Sequence, residues 1–190
     1  MIQFAGELLR KLNTHDTIAN PTAKKCLHRI YRDTRFSKDK TPYKTYWSGG
    51  FKRETALLRG GYYFHIEAER SFVAGGFWGP NSDDMKRIRE EIDLNSAAFQ
   101  AVSESKIFKE TFGNIVGEIL KTRPKGYQID HPEIELLRKK QYLVKKEFSA
   151  KEVLSKDFVD RVNETFIAMR PFFDLMSEIL TTNSNGEIMV

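Results

Sequence analysis

The chain has 190 residues, 40% of them hydrophobic and 30% charged, which is enough for one substantial core and short for two. A net charge of +5 at neutral pH is mild and does not by itself require a polyanionic partner. The single cysteine, Cys26, excludes an internal disulfide and favours a reducing, cytoplasmic setting; no apolar run approaches the roughly 20 residues of a membrane helix, so no membrane partner is expected.

Helical spacing opens the chain. Ile2, Ala5, Leu8, Leu9 and Leu12 recur at i, i+3, i+7 intervals among Glu7, Arg10 and Lys11, predicting an amphipathic helix through Leu12 with charges that would interrupt a signal peptide. A polar stretch with a turn at Asn20-Pro21 follows. Residues 27–36 and 43–51 are rich in β-branched and aromatic side chains and predict two strands, separated by Pro42, which disfavours a continuing ladder. Residues 62–68 and 71–77 predict two more, after a Gly60-Gly61 turn and before Gly79-Pro80. Their short connections favour an antiparallel meander.

Beyond Pro80 the period changes. Asn81 and Asn95 each cap a predicted helix, the first with Asp84 in its opening turn and Met85, Ile88 and Ile92 on one face. Ile107, Phe108 and Phe112 predict a short helix stopped by Gly113. A basic connector, LKTRPKGY, leads to Asp130-His131-Pro132-Glu133, which reads as a capping box. Residues 141–148 predict a strand. Phe158, Val162, Phe166, Met169, Phe173, Met176 and Leu180 form a long helical stripe that Pro171 is expected to kink or divide near Arg170. These elements predict one α+β domain over residues 1–180, an antiparallel sheet packed by helices with a long C-terminal helical region, and a flexible tail over 181–190.

The positive charge is concentrated. Residues 29–53, RIYRDTRFSKDKTPYKTYWSGGFKR, carry eight basic and two acidic side chains, net +6 against +5 for the whole chain, so the remainder sums to about −1. Neither face of a strand over 29–36 would be apolar. Its arginines either pair with carboxylates of the same protein, drawing in distant acids such as Glu67 and Glu69, or bind an anionic ligand. Alternation places His65 and Glu67 on one strand face beside Tyr63, a spacing suited to proton transfer. His15, His28 and His131 show no ligand spacing, so no metal site is assigned. Tyr46, Trp47, Phe77 and Trp78 lie near basic residues and would suit base stacking, although packing is the commoner use of such rings. Walker and G-x-S-x-G patterns are absent, and no cofactor is indicated.

RIYRDTRFSKDKTPYKT resembles the signature of a largely bacterial family catalogued as domain of unknown function 2461. YYFHIEAERSFVAGGFW, LKTRPKGY and DHPEIELLRKKQYLV follow in that family's order, extending the resemblance from about Leu8 to Leu180. It implies no settled reaction, so no catalytic residue is carried over. Its motifs cover Arg29, Arg32, Asp33, Arg35, Lys38, Lys40 and Lys44, and later Lys121, Arg123, Lys125 and Gly126. Relatives usually begin with a further helical segment containing a Trp-Phe pair, and without that segment apolar surface is expected to show. The leading expectation is a site for a small phosphate- or carboxylate-bearing ligand, with or without catalysis. Arg32, Asp33, Arg35, Lys38 and Lys44 would form it, joined by Lys121, Arg123 and Lys125, with His65 and Glu67 as the proton-transfer pair. The alternatives are a nucleic-acid binding module and an interaction or scaffold domain held by structural ion pairs.

Overall fold

A computed structural model describes residues 1–183 and 186–189. Its centre is a four-stranded antiparallel sheet of β1 (Trp47–Lys52), β2 (Gly61–Ile66), β3 (Ser71–Phe77) and β4 (Tyr142–Phe148), in the order β1-β2-β3-β4. Alternation sorts the side chains. Phe51, Tyr62, Phe64, Val73, Phe77, Tyr142, Val144 and Phe148 are buried on one face. The other face carries Ser48, Tyr63, His65, Phe72, Lys145 and Glu147, in a register that sets His65 opposite both Ser48 and Phe72.

Helices cover the first face. Helix α8 (Phe158–Thr181) packs on it through Phe166 against Phe51 and Tyr62, and through Phe173 against Tyr62 and Phe77. Helix α1 (Ile2–Leu12) adds Phe4, edge-on to Phe64 and stacked on Phe158. The segment between β3 and β4 forms α3 (Ser82–Leu94), α4 (Ser96–Ser103), α5 (Lys106–Phe112) and a single turn, α6 (Ile134–Leu137); the first three pack on α8. Asn81 caps α3 by accepting from the amides of Asp83 and Asp84. Two one-turn helices, α2 (Ala23–Cys26) and α7 (Ala150–Val153), escape the sequence reading because four residues carry no period.

Several expectations are corrected. Helix α8 is not divided at Pro171: this residue and Ile167, whose carbonyl loses its helical partner, both lie on the solvent-exposed side, where the lost bond costs least. Asp130 does not cap α6. Its N-cap is Glu133, which makes no side-chain capping bond and instead accepts from Gln100, whereas the capping box of the chain joins Ser149 and Glu152 at α7. Residues 27–36 do not form a strand. They and residues 37–46 make an irregular arm, closed at its base by the Tyr31–Tyr43 bridge with the Arg32 N–H donating to the Pro42 carbonyl and Lys44 N–H to Ile30 (both 2.9 Å). With no apolar face to bury, aromatic content alone does not hold this stretch in the sheet.

The expected flexible tail falls partly on residues 184, 185 and 190, which lie outside the described residues; of the rest, Thr182 and Ile188 form a bridge. No described helix is long and apolar enough to cross a membrane.

Candidate functional site

The outer sheet face and the arm meet over β2. Tyr46, at the end of the arm, stacks on His65 with 4.2 Å between ring centroids, and Phe72 stacks beside it at 4.8 Å and 13°. His65 is thereby clamped between rings and almost fully buried. Its Nε2 lies 3.2 Å from Glu67 Oε2 and its Nδ1 3.4 Å from the Tyr63 hydroxyl. A neutral imidazole protonated on Nε2 donates to Glu67 and accepts from Tyr63. On the same face the Ser48 Oγ is 3.2 Å from His28 Nδ1. Two hydrogen-bonded groups therefore share the face, His28–Ser48 and Tyr63–His65–Glu67.

Glu67 is placed by a tight turn. Ser71 Oγ donates to the Glu67 carbonyl (2.7 Å) and accepts from the Glu67 N–H (3.0 Å), closing residues 67–70 and directing Glu67 and Arg70 to the same end of the sheet. The hydrogen bond from His65, then that from Thr45 Oγ1 (2.9 Å to Oε1), holds the Glu67 carboxyl below its usual range. In the other group, burial pulls the His28 pKa down and nearby Lys44 adds to the effect. Burial raises the Tyr63 hydroxyl, partly offset by nearby Ser48.

A cleft of about 360 Å³ opens where these elements converge, lined by Arg32, Asp33, Lys44, Thr45, Tyr46, His65, Glu67 and Arg70. It joins part of the basic signature to the His65–Glu67 pair. Arg32 reaches it while paired with Asp39 and Thr41. The Thr41 hydrogen bonds, followed by the Arg32 bond, lower the Asp39 carboxyl to about 2. Lys44 lies over the Tyr46 ring at 5.4 Å, and neither it nor Arg70 forms an ion pair among the described residues.

The remaining predicted residues lie elsewhere. Arg35 is exposed and pairs with Asp33 at 2.6 Å, and Lys38 is exposed near the arm's tip. Lys121, Arg123 and Lys125 sit in the connector tied to β4 by the Val116–Leu143 bridge and to the segment before it by the Ile119–Lys139 bridge. Their sheet edge is the one opposite the arm, and no described cleft joins the two basic segments. Arg123 donates to the Tyr127 carbonyl at 2.6 Å. Distant acids do not neutralise the arm either: Arg32 and Arg35 use the local Asp39 and Asp33. Phe77 belongs to the core, and Trp78 is exposed.

Arg53, the last residue of the basic stretch, is the exception. Its side chain is 0% exposed, with Nε 2.9 Å from the equally buried Asp16 and Nη2 2.8 Å from Asp174. It also donates to the Arg59 carbonyl (3.0 Å) and Ser177 Oγ (3.3 Å), while the Tyr62 hydroxyl donates to Asp16 (2.6 Å). This charge is structural.

Sequence reasoning overlooked Arg70, Thr45 and the His28–Ser48 link. Arg70 was legible in principle: a turn at 67–70 puts it beside Glu67, but the strand predicted to Ala68 concealed that turn. Another cleft, about 510 Å³, is lined in part by Gln100, Glu104, Lys109, Glu133 and Lys139; burial lowers the pKa of Lys139, but no signature residue reaches it. Among the described residues no cluster of three or more His, Cys, Asp or Glu is arranged to hold a metal ion.

Fold and cleft define a class: an α+β meander with helices on one sheet face and a basic, irregular arm on the other. The chain belongs to the family described as conserved hypothetical protein (DUF2461), whose model matches residues 1–175. Comparison with curated proteins and with solved structures returned no match.

Proposed function

We propose that the cleft binds a small phosphate- or carboxylate-bearing ligand. The observation that carries this reading is a pair of cations held in no close ion pair among the described residues, Lys44 and Arg70 (the latter acting only at longer range on Glu67 and Glu147), on the rim of a cleft that also holds Arg32 and the His65–Glu67 pair. Cations used for structure are matched by carboxylates, as Arg53 is; cations without a close partner around a concavity suit an incoming anion. Glu67 would accept a proton or hydrogen bond from the ligand, with His65 behind it relaying to Tyr63. Asp33 would orient Arg35 at the cleft margin rather than touch the anion. The single cysteine favours a cytoplasmic setting for this activity. A polynucleotide would need surfaces outside the cleft, whose volume suits one small group.

Thermal unfolding in the presence of inorganic phosphate, sugar phosphates, nucleotides and di- and tricarboxylates tests the reading. A binding anion at about 100 times its Kd adds ~2.7 kcal/mol to stability, so a saturable rise in Tm over a chloride control of equal ionic strength is expected. Lys44→Ala and Arg70→Ala should abolish it, and Lys121→Ala should leave it intact. The absence of a saturable shift with every anion would overturn the proposal.

A further inference from the structure

The arm has a second face. Ile30, Tyr31 and Trp47 turn away from the cleft and, with Arg29, Lys24 and Leu27, border a groove of about 760 Å³ against the start of α1. None of the residues lining it lines the cleft. Two exposed aromatic rings line this groove, Tyr31 at 58% and Trp47 at 45%, and two more are exposed elsewhere on the arm, Tyr43 at 54% and Phe36 at 95%. Tyr31 and Tyr43 form a pair with centroids 5.4 Å apart, and the Arg35 guanidinium lies 5.8 Å from the Phe36 centroid. Lys24, Arg29 and Lys38 form no ion pair among the described residues.

Surface aromatics in a packed domain are ordinarily edged by neighbours that cover their faces. Here Tyr31 and Trp47 line the groove together with Lys24 and Arg29, and Tyr43 and Phe36 stand exposed on the same arm as Tyr31. That combination fits a flexible polyanion whose units carry flat faces. We propose that the groove face of the arm binds single-stranded nucleic acid, with Tyr31, Tyr43, Trp47 and Phe36 stacking on bases and Lys24, Arg29 and Lys38 meeting phosphates. Stacking on these rings needs bases free of a duplex, and every base offers a face, so the surface selects strandedness over sequence. An acidic peptide would satisfy the cations but leave the rings without flat partners. A second copy of this chain would bring the same positive surface against itself.

The test uses the full chain carrying Trp78→Phe, so that Trp47 alone reports, titrated with dT and rU oligomers of about 12 nucleotides, a span within the usual site sizes. Quenching of Trp47 and retarded mobility are expected, with log K falling against log salt at a slope of about −2 for three phosphate contacts. Tyr31→Ala and Phe36→Ala, both at exposed positions, should each weaken binding about five- to one-hundred-fold without changing that slope. Arg29→Ala should reduce the slope by about 0.7. Circular dichroism confirms that each variant is folded, and Tyr31→Phe should retain affinity.

Each of these results would overturn the proposal: no binding at low salt; equal or tighter binding of a duplex; binding unaffected by removal of the rings; or poly-glutamate binding as tightly as dT. A dimer in sedimentation that excludes the oligomer would likewise assign the face to self-association. Inorganic phosphate that competes at the cleft should not displace the oligomer, which separates this surface from the small-anion site.

Discussion

Replacing Arg53 with Met isolates the buried charge network. Met keeps much of the side-chain volume but removes the guanidinium from between Asp16, Asp174, the Arg59 carbonyl and Ser177. Asp174 is half exposed and can regain water, whereas Asp16 is 1% exposed and cannot. Asp16 retains the Tyr62 hydroxyl and a weaker contact with Arg170, whose Nε is 3.6 Å away. Removing one partner of a buried pair costs ~3–5 kcal/mol, and the surviving contacts place this variant near ~3 kcal/mol. Urea unfolding, with the m-value unchanged, measures it. In a double-mutant cycle, Arg53→Met with Asp16→Asn should show coupling of about 1–3 kcal/mol. A single variant within about 1 kcal/mol of wild type, or strict additivity, would refute the claim that this arginine is structural.

Three further outcomes follow from local geometry. His28 has a folded pKa below its unfolded value because of burial and then Lys44, so between that lowered value and about 6.5 the unfolded state holds more protons. Stability should therefore fall as pH drops from 7 through this window, and His28→Gln, which can keep a bond to Ser48, should flatten the profile in urea titrations. A Cβ at Gly75 would come within 2.6 Å of the Phe173 ring and 2.7 Å of Met169 Sδ, so Gly75→Ala should cost ~1–3 kcal/mol by pushing α8 from the sheet, read from its urea midpoint. Burial pushes the Cys26 thiol up to about 11, so an aromatic disulfide reagent at pH 8 should react at the rate of unfolding and at once in denaturant.

How far the molecule could be read from its residues varies with the range of the forces involved. β3 lies at its predicted bounds because its run of seven apolar and small residues is closed by Gly79-Pro80, and burial alternates along it as a strand requires. The stripe of α8 was equally plain. The i, i+2 spacing of His65 and Glu67 gave their common face, and their contact follows. The arm defeated the same logic, since strand-like composition signals a strand only where one face can be buried, and here both faces carry charge. Nor could local pattern show that Arg53 is internal: Asp174 lies 121 residues away, and only the packing of α8 on the sheet brings them together.

The arm's irregularity is also what divides its charge. A regular strand at the sheet edge would have sent alternate arginines toward the core, where each would need a buried carboxylate. Instead β1's edge is occupied by residues near Ile18 and Leu27, through bridges to Arg53 and Gly49, and the arm rises clear of the ladder. Only the stretch's final arginine enters the interior, and it finds two aspartates there. Arg32 and Arg35 spend their charge on local aspartates, which fixes the arm's shape. Lys44 and Arg29, with no such partners, are left on opposite faces, one toward the outer sheet face and the other toward the groove. The structural and ligand-facing readings of this basic stretch are therefore assigned to different residues, and substitutions at Arg53, Lys44 and Arg29 can separate them.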